Sequence, residues 1–245
     1  MDENIVIYCL SFEGSERKNR MIDRFNKLGL SDRVTFQNPV PLDDPLIDFY
    51  LQKRGELTDP GGRRAASGTI SYLKMIKSFI ESGKSYGVFC EDDIHIRKTI
   101  KKDLPEIISV IKDLTIQPEV VLLGYLAMVS PKDLGFPLYQ ENPPSITNDG
   151  GFSLMSYPLD LWGGQMIFLS RENAIKAIEK FDKPFHLSCP NSGFVLDWTL
   201  TKLENRLLVY PMLGVEEGEI TDSHPGQIYF HRMCHQLNYQ PDSYI

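Results

Sequence analysis

The chain has 245 residues, of which 42% are hydrophobic and 24% are charged, and this balance excludes collagen-like, coiled-coil and disordered proteins. Its 26 basic and 33 acidic residues give a net charge of −7, which argues against nucleic acid as a partner because such binding needs many cations along the polymer. A small phosphorylated ligand is not excluded, since a local pair such as Arg63 and Arg64 can be positive on an acidic protein.

Several features of the sequence bear on where the protein is found. The first residues are acidic and lack the basic and apolar regions of a secretory signal. The longest apolar stretch, residues 120–129, is about half of a membrane span, so no transmembrane segment is predicted. The cysteines form no CxxC pair and are widely spaced, at Cys9, Cys90, Cys189 and Cys234. We expect buried thiols in a cytoplasmic protein, with the periphery of a membrane or, for a viral protein, the host cytosol as alternatives.

The first part of the chain alternates between strand-like and helix-like segments. In order, it predicts a strand at residues 4–10, a helix ending before Gly29, a strand at 34–36, a long surface loop at 39–62 and a helix from Ser67 to Gly83. A loop of that length in a compact domain usually has a functional role.

The same alternation continues to residue 210. The predicted segments are a strand at 86–90, a helix starting at Asp103 with Glu106 in a capping box, a strand at 120–123, a loop at 130–157, a strand at 166–169, a helix capped by Ser170, a helix at 195–203 and a strand at 207–210. Such alternation is typical of an α/β protein with an open, mostly parallel sheet flanked by helices. No repeat or linker divides the chain, so we expect a single domain over residues 1–245.

Three consecutive acids, Glu91, Asp92 and Asp93, follow the apolar strand at 86–90. Ligands of open α/β sheets bind beyond the carboxyl ends of the strands. Three acids at such a position repel one another, and a divalent cation shared with a phosphorylated substrate would offset that repulsion. The alternative is a solvated acidic turn whose last Asp caps a helix.

The order of five segments adds to this interpretation. They are IVIYCL (5–10) followed by Ser15, Glu16 and Arg17; GTISY (68–72); VFCEDDI (88–94); VLLG (121–124); and GQMIFLSR (164–171) with Ala174. In this order, over roughly residues 4–224, the chain resembles glycosyltransferase family 25, which includes lipooligosaccharide and procollagen galactosyltransferases. It departs from that family at Tyr72, where His is usual, and at Cys90, where an aliphatic residue is commoner; residues 216–224 match loosely.

The resemblance implies a GT-A (Rossmann-like) fold and an inverting, metal-dependent transfer of a hexose, galactose or glucose, from a UDP-sugar to a glycan or another hydroxylated acceptor. It also implies a Mn²⁺ or Mg²⁺ ion between the protein and the diphosphate. A divalent cation suits this reaction because it stabilises the negative charge that develops on the leaving nucleoside diphosphate.

Candidate site residues follow from the resemblance together with the positions of charged groups. For the metal we expect Asp93 as direct ligand, Glu91 acting directly or through water, and His224 as a third ligand carried by a terminal segment that closes over the donor. The residues expected to contact the nucleotide sugar are Leu10, Ser11, Arg17, Arg63, Arg64, Ser71 and Asp92.

The general base is expected to be a lone acid near aromatic residues. Asp197 precedes Trp198 at the start of an apolar segment, so it can act as the base or merely cap a helix. Asp160 is the alternative base or acceptor contact. Tyr157 and Trp162 could form part of an acceptor platform.

Other interpretations stay open at this point. His186 with Cys189, and His231 with Cys234 and His235, have spacings that can bind zinc. A metal-dependent phosphoesterase or nucleotidyltransferase also gathers carboxylates at strand ends, although this chain offers few further ligands. A homologue that binds a sugar nucleotide without turnover is the non-enzymatic alternative. The sequence predicts no particular oligomeric state.

Overall fold

The structure, a computed structural model, describes residues 3–52, 60–137, 151–189, 195–219 and 224–245. Its strands are β1 (Ile5–Leu10), β2 (Val34–Gln37), β3 (Tyr86–Glu91), β4 (Ile94–Ile96), β5 (Val120–Leu126), β6 (Ser153–Ser156), β7 (Trp162–Ser170), β8 (Arg206–Tyr210) and β9 (Gly214–Glu216). Its helices are α1 (Glu16–Lys27), α2 (Pro45–Leu51), α3 (Pro60–Glu81), α4 (Ile100–Lys112), α5 (Arg171–Phe181), α6 (Phe185–Ser188) and α7 (Pro225–Asn238).

A seven-stranded sheet forms the centre of the described structure, in the order β2-β1-β3-β7-β5-β8-β6. The pairs β1 with β2, β1 with β3 and β5 with β8 are parallel, whereas β7 and β6 run against their neighbours. Most strands therefore point the same way, and the predicted α/β fold with an open, mostly parallel sheet is confirmed.

Helices cover both faces of this sheet because its strands carry apolar side chains on both faces. In β5, Val120 and Leu122 belong to one apolar cluster and Val121 and Leu123 to the other, as the period of two in a strand requires. The first cluster includes residues of α2, α3 and α5, and the second includes residues of α1 and α4. The carboxyl ends of β1 and β3 are therefore held rigidly at one edge.

Two helices begin earlier than the sequence predicts. α3 starts at Pro60, and Ser67 lies buried inside it, where its hydroxyl donates to the carbonyl of Val40 at 2.6 Å instead of capping the helix. α4 starts at Ile100 after Thr99, so the predicted start at Asp103 is wrong. The Ser170 cap of α5 is confirmed by a 3.2 Å bond from the Asn173 N–H to its hydroxyl.

Further elements occupy segments that the sequence predicts as loops or as other structure. α2 lies within the predicted loop 39–62, and β6 lies within the predicted loop 130–157. The predicted helix at 195–203 is instead two short 3₁₀ turns, Leu196–Trp198 and Leu200–Lys202. The two-stranded sheet of β4 and β9, and the helix α7, have no counterpart among the predicted elements.

Two expectations about location and thiols can be compared with the described residues. In these ranges no helix combines the length and the apolar character needed to cross a membrane. All four cysteines are described and buried, and none forms a disulfide, so the prediction of buried thiols is confirmed.

Candidate functional site

The acidic triplet lies where β1 and β3 end side by side. Leu10, the last residue of β1, is paired with Glu91, the last residue of β3. The residues that follow these two are also in contact: the Ser11 hydroxyl donates to Oδ2 of Asp92 at 2.5 Å. Both Ser11 and Asp92 are buried. Parallel pairing thus brings four predicted site residues to one edge of the sheet: Leu10, Ser11, Glu91 and Asp92.

Asp93 faces the amino-terminal turn of α1. The Arg17 guanidinium donates to its Oδ2 at 3.1 Å and lies 3.8 Å from Oδ1 of Asp92. Within the described residues, Oδ1 of Asp93 is buried and makes no hydrogen bond. Burial and the nearby Glu216 raise the pKa of Asp93 to about 7, although Arg17 acts in the opposite direction.

The antiparallel pairing of β4 with β9 brings two further acids, Glu216 and Glu217, close to the triplet. β4 pairs with β9 so that Ile94 lies opposite Glu216, and the Glu217 N–H donates to the carbonyl of Asp93 at 2.7 Å. Burial, and then the charges of Asp93 and Glu216, raise the pKa of Glu91 well above its ordinary value. This edge therefore concentrates acidic side chains whose charges disfavour one another.

Glu217 is the acid whose charge is neutralised by two arginines. Arg20 donates to both of its carboxylate oxygens, at 3.2 and 2.7 Å, and Arg24 lies 2.7 Å from Oε1. These bonds lower the pKa of Glu217 against the effect of its burial. The two arginines project from α1, so the pairing fixes the angle between that helix and the end of β9.

Glu216 has a different partner, on α7. Its two carboxylate oxygens lie 2.8 and 2.7 Å from Nδ1 of His231. Its carbonyl lies 2.8 Å from Nδ1 of His235, one helical turn further on. The hydrogen bond to Glu216 raises the pKa of His231, so the pair favours an imidazolium. Both contacts hold α7 against the sheet edge, and they use one face of the helix.

Asp197 lies in the first 3₁₀ turn and is fixed by a main-chain donor. The Gly163 N–H donates to its Oδ1 at 2.7 Å. Burial raises the pKa of Asp197, while this bond and the charge of Lys202 act in the opposite direction. Gly163 has φ +100°, and a Cβ there would lie 2.5 Å from the Leu126 nitrogen, so only glycine fits.

A cleft with two lobes surrounds Asp197. We call the first, of about 440 Å³, the acidic lobe; it is lined by Arg64, Ala65, Gly68, Thr69, Tyr72, Glu91, Val195, Leu196, Asp197 and Gln227. We call the second, of about 410 Å³, the aromatic lobe; it is lined by Leu126, Trp162, Val195, Asp197, Gly226, Gln227, Phe230 and His231. Since Val195, Asp197 and Gln227 line both lobes, the two lobes adjoin and Asp197 stands between them.

Two residues predicted to contact the nucleotide sugar have partners within the protein. Arg63 donates to the carbonyl of Leu42 at 2.9 Å and lies 2.5 Å from Oδ1 of Asp48. The Ser71 hydroxyl is buried, accepts from the Val40 N–H at 2.9 Å and donates to the carbonyl of Ser67. The structure thus places both side chains at the junction of α3 with residues 40–48, away from the lining of the two lobes.

Three further predicted residues do not line the cleft. Asp160 is exposed and is not among the residues that line the lobes. Tyr157 is buried and donates to the carbonyl of Thr201 at 2.6 Å, so it cannot offer a ring to an acceptor. His224 is an exposed N-cap of α7 whose Nδ1 accepts from the Gly226 N–H at 3.1 Å.

Three functional candidates are not predicted from the sequence: Glu216, Gln227 and His231. Their signal is weak because they meet the triplet only through β9 and α7, neither of which has a clear pattern. The sequence singles out His231 only through a zinc spacing with Cys234 and His235. In the described ranges no group of three or more His, Cys, Asp or Glu side chains is arranged to hold a metal ion, zinc included.

Comparison with known proteins gives little further guidance. No family model matches the chain, and no curated protein matches it. Among solved structures, it is similar to mannose-1-phosphate geranyltransferase from Thermus thermophilus, with 11% sequence identity, a TM-score of 0.45, and coverage of 84% of this chain and 73% of the other. A likeness that distant carries no conclusion about function.

Proposed function

We propose that the protein is a metal-dependent, inverting glycosyltransferase that moves a hexose from a UDP-sugar to a hydroxyl group of an acceptor. One observation carries the proposal: Asp197 stands between a lobe that contains the acid Glu91 and a lobe lined by aromatic side chains. A transferase of this kind needs adjoining sites for donor and acceptor, with a base between them.

The carboxylate oxygens of the acidic triplet are suitable ligands for a hard divalent cation. Mg²⁺ is commonly bound through one or two carboxylates plus the phosphate oxygens of a substrate, and Glu91 and Asp93 supply two carboxylates at this edge. Asp93, with its buried Oδ1 lacking a partner in these residues, would be the direct ligand, and Glu91 would act beside it. When bound, such an ion stabilises the charge of the leaving diphosphate.

Positive and polar groups of the chain would orient the donor. Arg17 can turn from Asp93 to the diphosphate because its side chain is 44% exposed. Arg64 lines the acidic lobe and could bind the sugar or its phosphate. Ser11 holds Asp92 in place through its hydrogen bond, and Asp92 would contact the ribose or the sugar. Leu10 packs at the same edge.

Asp197 would accept the proton of the acceptor hydroxyl. Its pKa is raised by burial, which makes the carboxylate a stronger base than an exposed Asp. The Gly163 N–H fixes one oxygen and leaves the other for the incoming hydroxyl. Deprotonation strengthens the attack of that oxygen on the anomeric carbon from the face opposite the diphosphate, which inverts the configuration.

The test is release of UDP from UDP-galactose and UDP-glucose in the presence of Mn²⁺. We expect turnover that EDTA abolishes, and a loss of about 10²- to 10⁴-fold in kcat for Asp197→Asn. Asp160→Asn is the matched variant, since Asp160 lies outside the lining of the cleft; a large loss there would move the base to Asp160. No UDP release and no calorimetric binding of UDP would overturn the proposal.

The same assay separates the two alternatives. A nucleotidyltransferase would release pyrophosphate from UTP and a sugar 1-phosphate, and would not hydrolyse the UDP-sugar. A homologue without turnover would bind UDP while the Asp197→Asn and Asp93→Asn variants both behave like the unchanged protein in every product assay.

A further inference from the structure

The aromatic lobe differs in character from the acidic lobe. Trp162, the first residue of β7, is 42% exposed and lines this lobe. Its ring is held edge-on by Trp198, with the two ring centroids 5.3 Å apart and the planes at 83°. Phe230, from α7, lines the same space. The lobe thus offers a fixed, exposed indole and a second aromatic ring on another element.

Polar groups lie within the same lobe. Asp197 accepts a hydrogen bond from the N–H of Gly163, the residue that follows Trp162 in the chain. The bond between Nδ1 of His231 and the carboxylate of Glu216 orients the imidazole ring. The ring contact of His231 with Phe230, at 5.9 Å and 90°, ties the two side chains together. Flat apolar surface and fixed hydrogen-bonding groups therefore meet in a space of about 410 Å³, within the range of small-molecule sites.

We propose that the aromatic lobe binds a neutral pyranose ring, so that the acceptor is a saccharide. A pyranose has an apolar face of C–H groups and a rim of hydroxyls, and this lobe presents aromatic surface together with an acid, an imidazole and an amide. A lipid alcohol would leave those polar groups desolvated and unpaired, which is costly.

The charges around the aromatic lobe favour a neutral sugar over an acidic one. No Lys or Arg is among the described residues that line this lobe, and the charge of His231 is paired with Glu216, so an acidic sugar such as a uronic acid would find no free cation and would face the carboxylate of Asp197. That the bound saccharide is the acceptor rests on the proposed function, because a hydroxyl held beside Asp197 would then face the donor in the acidic lobe.

The experiment measures saccharide binding and UDP binding separately. Saturation-transfer NMR would use methyl β-galactoside, methyl β-glucoside and methyl α-mannoside as neutral probes, methyl glucuronide as the charged probe, and a hydroxylysine peptide and an alkyl alcohol as non-saccharide acceptors. Calorimetry with UDP and Mn²⁺ reports the donor side. We expect a signal for at least one neutral glycoside and a weaker one for the glucuronide.

Variants decide where the glycoside binds. Trp162→Ala and Phe230→Ala should each weaken its binding by roughly tenfold or more while UDP binding stays unchanged. Tyr229→Ala is the control, because Tyr229 lies next to Phe230 on α7, is 63% exposed and does not line the lobe.

Each outcome bears on a different claim. UDP binding without any neutral glycoside signal, or a preference for the peptide, the alcohol or the glucuronide, overturns the saccharide site and leaves the proposed function standing. Glycoside binding that Trp162→Ala and Phe230→Ala both leave intact also overturns it. Glycoside binding lost in these variants, in a protein that does not bind UDP, supports the site and contradicts the transferase.

Discussion

Nδ1 of His231 lies 2.7 Å from Oε2 of Glu216, and this bond joins α7 to the end of β9. Because the pKa of His231 is raised in the folded state, the pair stabilises the fold fully below the unfolded pKa of about 6.5 and loses this contribution as the pH rises through the higher folded value. We expect His231→Gln to cost about 1–3 kcal/mol at pH 6 and clearly less at pH 9, measured by urea unfolding.

Glu216→Gln is the partner variant for this prediction. It removes the carboxylate while the His235 bond to the main-chain carbonyl remains, so it should show the same dependence on pH. A loss of stability in both variants that is equal at pH 6 and pH 9 would show that the charge of His231 is not involved.

Arg17 is predicted to have opposite effects on metal and nucleotide. It lies 3.1 Å from Oδ2 of Asp93, where its charge opposes a cation. Arg17→Gln should therefore tighten binding of Mn²⁺ alone by about threefold to tenfold and weaken binding of UDP with Mn²⁺ by a similar factor, both by calorimetry. Arg33→Gln, which removes an exposed pair with Asp32, should change neither constant. Parallel losses for metal and nucleotide would contradict this role.

Glu217 is predicted to be the most important acid for stability at this edge. Replacing it with Gln leaves the largely buried Arg24 and the partly exposed Arg20 without a carboxylate, at a cost of about 3 kcal/mol near pH 7. The folded pKa of Glu217 is lowered, so its contribution is present above about pH 4.3 and is lost as the pH falls through the folded value. Urea unfolding at pH 7 and at successively lower pH, down to about pH 3, measures the difference.

An exposed neighbour gives the control for that experiment. Glu219→Gln, two residues further along, should change the free energy of unfolding by no more than about 0.5 kcal/mol. If Glu217→Gln behaves like this control, the two arginines are held by other contacts.

Gly163 is predicted to tolerate no side chain. Gly163→Ala combines a φ of +100° with a Cβ at 2.5 Å from the Leu126 nitrogen, and we expect a loss of about 2–4 kcal/mol in thermal or urea unfolding. Gly83→Ala is the control, since Gly83 has φ +73° and nothing within 4 Å of a Cβ; it should cost about 1 kcal/mol. Equal costs would mean that the close approach at Gly163 relaxes freely.

Features set by local sequence were the ones that could be predicted. The apolar runs of β1, β3 and β5 are buried on both faces, and their continuous hydrophobic character identifies them without further context. The Ser170 cap is likewise a local signal. The acidic triplet could be placed at a strand end because the apolar run of β3 directly precedes it.

The rest of the candidate site depends on tertiary contacts. Glu216 and His231 are 15 residues apart, and they meet only because β9 pairs with β4 while α7 packs beside it. Asp197 was expected at the start of a helix, but Gly163 on another element holds it in a 3₁₀ turn. Ser71 and Arg63 looked available for a ligand, whereas residues 40–48 supply their partners.

α7 closes one side of the cleft and is bonded to the sheet edge at Glu216, yet it supplies few of the groups assigned to the nucleotide. Exchanges at Phe230 would reshape the aromatic lobe and leave Glu91 and Arg64 as they are. On the proposed function, substitutions on α7 and at the beginning of β7 would change which acceptor is bound without altering the groups that hold the donor.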